Sequence, residues 1–234
     1  TDFAAEHITR ITAQSRNYRP MAQVVDARAL VNALVALLAS GGSTNHCIHL
    51  IAIARAAGYR MNWSDFDAVS AVTHLIARVY PNGSADVNHF HAAGGTGTLF
   101  KALLDAGLMH PEATTCFGDN FGNFCQEPIL VDDRIEWRPA ASQSLDTDIL
   151  TTPKTPFSTN GGVKLLEGNL GRCVIKTSAV DASHHVVEAP AVVIDDQDDL
   201  RPLFDAGELD RDCVVVVRFQ GPAANGMPEL HKLT

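Results

Sequence analysis

The sequence predicts an α/β protein built in two parts, a helix-rich first half and a β-rich remainder. Three observations carry that expectation. Up to about residue 125 the apolar residues recur at helical spacing; from 126 to 160 the chain turns rich in Pro, Ser and Thr with weak periodicity; from Gly161 onward short β-branched runs take over. Residues 1–125 are therefore read as a helical part, 126–160 as a linker or extended crossover, and 161–234 as the start of a second domain with short strands. With 234 residues, burying a real core presents no difficulty.

The elements follow in order. Ala27 to Ala39 places Leu30, Val31, Leu34, Val35, Leu37 and Leu38 at helical spacing, with Asp26 as N-cap. A Gly41-Gly42 break follows, then a second apolar helix through Cys47 to Ala57, capped by Ser43 or Thr44 and closed by Gly58. Ser64 to Val79 reads as a third helix, with Phe66, Val69, Val72, Leu75, Ile76 and Val79 on one face. Ser64 and Asp67 resemble its capping box, and Tyr80-Pro81-Asn82-Gly83 ends it. His89 and His91 fall in a loop, and Thr96 to Ala106 forms another helix. Strands are expected at Arg172–Thr177, Ala191–Ile194 and Cys213–Arg218, the last two continuous enough to be buried. Gln197 to Ala206 suits a short helix between those two, although Pro202 threatens it, and the whole makes a β-α-β unit.

A formal charge of −9 argues against a nucleic-acid or anionic-membrane partner, because both need a basic surface. Asn32 and the Gly-Gly break divide the most hydrophobic region into pieces too short to span a bilayer. The start, TDFAAEHITRI, lacks the cationic and apolar regions of a secretory leader, so a cytoplasmic location is expected. Five scattered cysteines with no C-x-x-C pair fit reduced thiols, with Cys47 and Cys213 in the core.

Several groups could carry chemistry. Gly41-Gly42-Ser43-Thr44-Asn45-His46 sets two glycines and two hydroxyls at a helix start, where free amides favour a carboxylate or phosphate; the plainer reading is a tight turn whose hydroxyl merely caps. His46-x-x-His49 and His89-Phe90-His91 pair imidazoles without any zinc-hydrolase spacing, so they read as pocket-wall or interior groups. His184-His185 reads as solvent-facing, and the Asp195–Asp199 cluster as solvated and satisfied by backbone. The end of the chain runs from a valine strand into a Gly/Pro loop bearing Glu229, a carboxylate suited to a hard divalent cation such as Mg²⁺ or, equally on local chemistry, an ordinary surface Glu.

Four stretches in order, LLASGGSTNHCIHLIAIARAAG, YPNGSADVNHFHAAGG, GGVKLLEGNLGRCVIKTSAV and RFQGPAANGMPELHKL, resemble the dihydroxy-acid/6-phosphogluconate dehydratase family. The PNGSAD and NHFHAAGG stretches are more similar to its phosphogluconate branch. The resemblance implies an α/β amino-terminal domain followed by a β-rich, barrel-like swivelling domain, both incomplete here. It implies a hydro-lyase acting on a sugar-acid phosphate, 6-phosphogluconate, with an iron-sulfur cluster and Mg²⁺ as cofactors and a homodimer as the complete form. Carried over by residue, Gly42, Ser43, Thr44 and Asn45 match a signature close to the substrate, and Glu229 matches a Mg²⁺ ligand. Family members are longer, so the cluster-ligating cysteines are expected outside these residues, none of the five cysteines being a cluster ligand. The family's catalytic base is expected beyond Thr234, so no residue of the chain is assigned that role. The chain alone is then expected to assemble no cluster and to turn over no substrate. A dihydroxy-acid or other aldonate as substrate, and a sugar-acid-binding module without catalysis, are the alternatives.

Overall fold

The computed structural model describes residues 1–221, which fall into two compact units, Thr1–Ala179 and the part of the chain from Val180 onward. The mixed α/β class holds, and no closed barrel is present among the described residues.

In the first unit, α1 (Asp2–Thr9) and α2 (Met21–Val24) precede the central helix α3 (Ala27–Ala39). Asp26 caps α3 by accepting from the Ala29 amide at 2.8 Å. Both sides of α3 are covered. Leu30, Leu34, Leu37 and Leu38 pack with Cys47, Leu50, Ala54, Phe66 and Val163, while Val35 and Ala39 pack with Ile76, Ala77, Leu99, Leu103 and Leu150. A helix buried on opposite faces explains why its sequence is apolar nearly all round. Its one buried polar residue, Asn32, exchanges two hydrogen bonds with the His110 backbone, at 3.0 and 2.7 Å.

Helix α4 (Thr44–Ala56) begins at the Ser43 cap and ends at Gly58, whose φ of +84° is the left-handed conformation a helix terminus favours. Helix α5 (Trp63–Val72) is shorter than the sequence predicts. Its capping box is Asn62 with Asp65 rather than Ser64 with Asp67. From Thr73 the chain is extended because tertiary acceptors replace helical ones: the amides of Leu75 and Ile76 donate to Ser158 and Ala39, and the Arg78 amide to Ile149. The apolar run Leu75-Ile76-Ala77 is thus buried as an extended segment. His89 and His91 lie in a short helix, α6 (Val87–Ala92), capped by Asp86, and not in a loop. Helix α7 (Gly95–Asp105) follows.

Regular structure also appears where weak periodicity hid it. Strands β1 (Gln126–Val131) and β2 (Arg134–Pro139) form an antiparallel hairpin across Asp132-Asp133, both at positive φ, the two-residue turn that matches strand twist. Rings of Phe3, His7, Phe117 and Trp137 stack between this hairpin and α1. Strand β3 (Val163–Gly168) pairs antiparallel with β4 (Gly171–Lys176), the latter where a strand is expected. The hairpin is docked on α5: the Val163 amide donates to Ser70 Oγ, and the Leu165 amide to Asp67.

In the second unit, β5 (Ala191–Ile194) runs parallel to β6 (Val214–Val217) through α8 (Leu200–Asp205), the expected β-α-β connection. Pro202 sits in the first turn of α8, where no intrahelical donor is lost. The strands are not buried as expected, Val193 being 51% and Val214 38% exposed, because a two-stranded sheet offers no second layer among the described residues. Cys213 is likewise half-buried rather than core, and all five cysteines are free thiols. Asp195 pairs with both arms of Arg218 at 2.6 and 3.0 Å, and Asp196 caps the 3-10 turn at Gln197–Asp199, so these two acids are satisfied locally. His184 and His185 are exposed, as expected. No helix among the described residues is long and apolar enough to cross a membrane.

Candidate functional site

The Gly41–Asn45 turn is built by the end of one helix and the start of the next. The Gly42 amide donates to Leu37 O at 2.8 Å and the Gly41 amide to Leu38 O at 3.2 Å, which closes α3 with Gly41 at φ +62°. Ser43 Oγ then accepts from the Asn45 amide at 3.2 Å, and Ser43 O from the His46 amide. The capping reading of Ser43 is therefore correct. The amides of Ser43 and Thr44 have no protein acceptor among the described residues, and both side chains are exposed. Two free donors beside two hydroxyls can take an anionic oxygen.

What holds this turn is a convergence that spacing alone does not reveal. The carbonyl of Gly41 accepts from Asn82 Nδ2 at 2.8 Å and from Lys176 Nζ. Asn82 comes from the Pro-Asn-Gly loop and Lys176 from the end of β4, so segments 41 and 135 residues apart meet on one oxygen. A methyl group on Gly41 would lie 2.1 Å from Asn82 Nδ2, so only glycine allows the approach. Lys176 has no carboxylate partner among the described residues, and its half-buried position holds its pKa below the ordinary lysine value. An ammonium with donors to spare beside the turn adds a positive charge to it. Asn82 and Lys176 are the functional candidates that the residues' own spacing misses, although both lie inside stretches that carry the family resemblance.

Cys47, on the first turns of α4, points into the core at 1% exposure, and burial pushes its thiol up to about 11. His46 has its pKa lowered by burial, with His49 adding a smaller effect in the same direction. Neither pair of histidines joins a metal-binding set: no group of three His, Cys, Asp or Glu suited to an ion occurs among the described residues. Gly42 to Asn45 are thus placed together at one turn. Glu229 lies outside the described residues, and so does Thr234, the position beyond which the catalytic base is expected.

Two cavities of the first unit bear on what this site could bind. A polar cleft of about 480 Å³ is lined by Arg78, Asn82, Ser84, His89 and Asp148, and reaches the Gly41 turn through Asn82. A second cavity, about 300 Å³, is walled by Val24, Ala33, Ala36, Phe100, Phe121 and Phe124, too apolar to recognise a polyol acid.

The family model for the dihydroxy-acid/6-phosphogluconate dehydratase N-terminal domain matches residues 1–124, and the C-terminal model matches residues 148–234. Phosphogluconate dehydratase of Escherichia coli K12 is 53% identical over the whole chain, and that of Pseudomonas aeruginosa is 54% identical. Dihydroxy-acid dehydratase of Pyrobaculum calidifontis is 35% identical over 90% of the chain. The chain spans 39%, 38% and 36% of the lengths of these three relatives.

Proposed function

We propose, from the premise that this chain belongs to the dihydroxy-acid/6-phosphogluconate dehydratase family, that it forms one substrate-contacting wall of a hydro-lyase converting 6-phospho-D-gluconate to 2-dehydro-3-deoxy-6-phospho-D-gluconate. The observation that carries the reading is the meeting of Asn82 and Lys176 on the Gly41 carbonyl, which fixes the Gly42–Asn45 turn beside a cationic group. The identities of 53% and 54% to phosphogluconate dehydratases, against 35% to a dihydroxy-acid dehydratase, favour the phosphorylated sugar acid.

Elimination of water from an aldonate begins with a weakly acidic proton beside a carboxylate, so the site must hold that carboxylate while negative charge develops. The free amides of Ser43 and Thr44, their hydroxyls and the Lys176 ammonium supply donors for this task. The described residues do not fit a resident iron-sulfur cluster, since Cys47 is packed in the hydrophobic core and no three ligating side chains converge. The cluster is assigned to other parts of the enzyme and the catalytic base to a segment after Thr234, with Glu229 as a proposed Mg²⁺ ligand. The same reading includes a cytoplasmic homodimer.

Calorimetric titration of the chain with 6-phosphogluconate, alongside an assay for 2-keto acid product, tests this. Saturable binding weakened about tenfold in Ser43→Ala, with no product from the chain alone, is the expected result. No binding, or binding indifferent to Ser43, overturns the assignment of the turn.

A further inference from the structure

We propose that the polar cleft beside the turn seats a phosphate monoester of a polyol, the phosphoryl end of the sugar acid, with Arg78 as its charged anchor. The inference rests on the functional reading above and extends it to the far end of the substrate.

The cleft has the size of a small-molecule site, about 480 Å³. Arg78 is fixed at both ends without being neutralised. Its amide donates to Ile149 O at 2.8 Å, its guanidinium lies 4.3 Å from the Phe157 ring centroid, and no carboxylate pairs with it among the described residues. In a chain of net charge −9, a guanidinium held on an aromatic face and left unpaired is a ready fork for phosphoryl oxygens.

The other walls supply polar groups for the polyol part of the ester. Asn82 spends its amide nitrogen on Gly41 O, while its Oδ1 is buried with no protein donor. Ser84 adds a hydroxyl to the wall. His89 stands with Nδ1 2.9 Å from Asp86 Oδ1, which leaves its Nε2 without a partner among the described residues. Asp148 is the opposing charge: it repels a phosphoryl group placed near it and accepts from sugar hydroxyls, so it orients the ester within the cleft. Asn82 belongs to both the cleft and the turn's support, so the cleft adjoins the turn. The PNGSAD and NHFHAAGG stretches that set the chain nearer the phosphogluconate branch supply Asn82, Ser84 and His89 of this wall.

The test is calorimetric titration of the chain with 6-phosphogluconate, gluconate and inorganic phosphate, in wild type, Arg78→Ala and Ser84→Ala. Wild type is expected to prefer 6-phosphogluconate over gluconate by about tenfold or more. Arg78→Ala should abolish that preference by lowering 6-phosphogluconate affinity to that of gluconate. Should it fail to fold, as judged by circular dichroism, Arg78→Gln serves the same comparison. A preference that survives loss of the guanidinium overturns the cleft assignment, and so does equal binding of gluconate and 6-phosphogluconate by wild type, the sugar-acid reading of the turn standing in both cases. Binding of neither sugar acid overturns both. Inorganic phosphate binding as tightly as 6-phosphogluconate overturns the assignment of the cleft to an ester of a polyol.

Discussion

Gly41 carries more of the site than the hydroxyls beside it. Its φ of +62° ends α3, its carbonyl receives Asn82 and Lys176, and its missing side chain makes room for the Asn82 amide. Gly41→Ala forces a left-handed conformation on an L residue and sets a methyl 2.1 Å from Asn82 Nδ2. The expected loss is about 1–3 kcal/mol of stability, read as a lower urea midpoint with unchanged slope. A variant as stable as wild type would mean that the convergence on this carbonyl contributes nothing. Local sequence showed the glycine and the Ser43 cap, because both follow from neighbouring residues. It could not show Asn82 or Lys176 as partners of Gly41, because nothing in their spacing encodes a meeting produced by an extended segment and a hairpin packing on α3 and α5.

Among the elements, α5 and β3 carry the hairpin that delivers Lys176. Asp67 accepts from the Leu165 amide at 3.0 Å and from Lys164, and these donors hold its carboxyl below the ordinary value of 3.8, with the backbone amide the larger cause. A carboxylate whose folded pKa is lowered stabilises fully above its unfolded pKa, and the stability is lost as pH falls through the folded value. Asp67→Asn is therefore expected to lose stability at neutral pH and to show a shallower decline below about pH 4 than wild type, measured by urea unfolding at a series of pH values. Equal acid slopes would remove Asp67 from the coupling. The elements themselves were legible in uneven measure. Helices α3 and α4 followed from local pattern and caps, whereas Leu75-Ile76-Ala77 kept a helical pattern yet lies extended, because the Ala39 and Ser158 carbonyls outcompete the preceding turn. The β1–β2 hairpin was hidden because Asp132-Asp133 replaces the usual Asn-Gly signal and Pro128 interrupts β1, although Ile135 and Trp137 alternate with charged residues in β2.

At the scale of the whole molecule, the two units differ in kind. The first holds two hydrophobic clusters on either side of α3, whereas none of the described residues of the second is buried. All the structurally described candidates, Gly42 to Asn45, Asn82, Lys176 and the Arg78 cleft, lie in the first unit, where packing can hold them in register. The central claim is that this region faces the sugar-acid phosphate. Two-dimensional amide NMR of the chain during titration with 6-phosphogluconate tests it most directly. Saturable shifts confined to Gly41–His46, Arg78–His89 and Lys176 are the predicted result. Shifts centred instead on the apolar cavity at Phe100, Phe121 and Phe124, or no saturable shift at all, would contradict it.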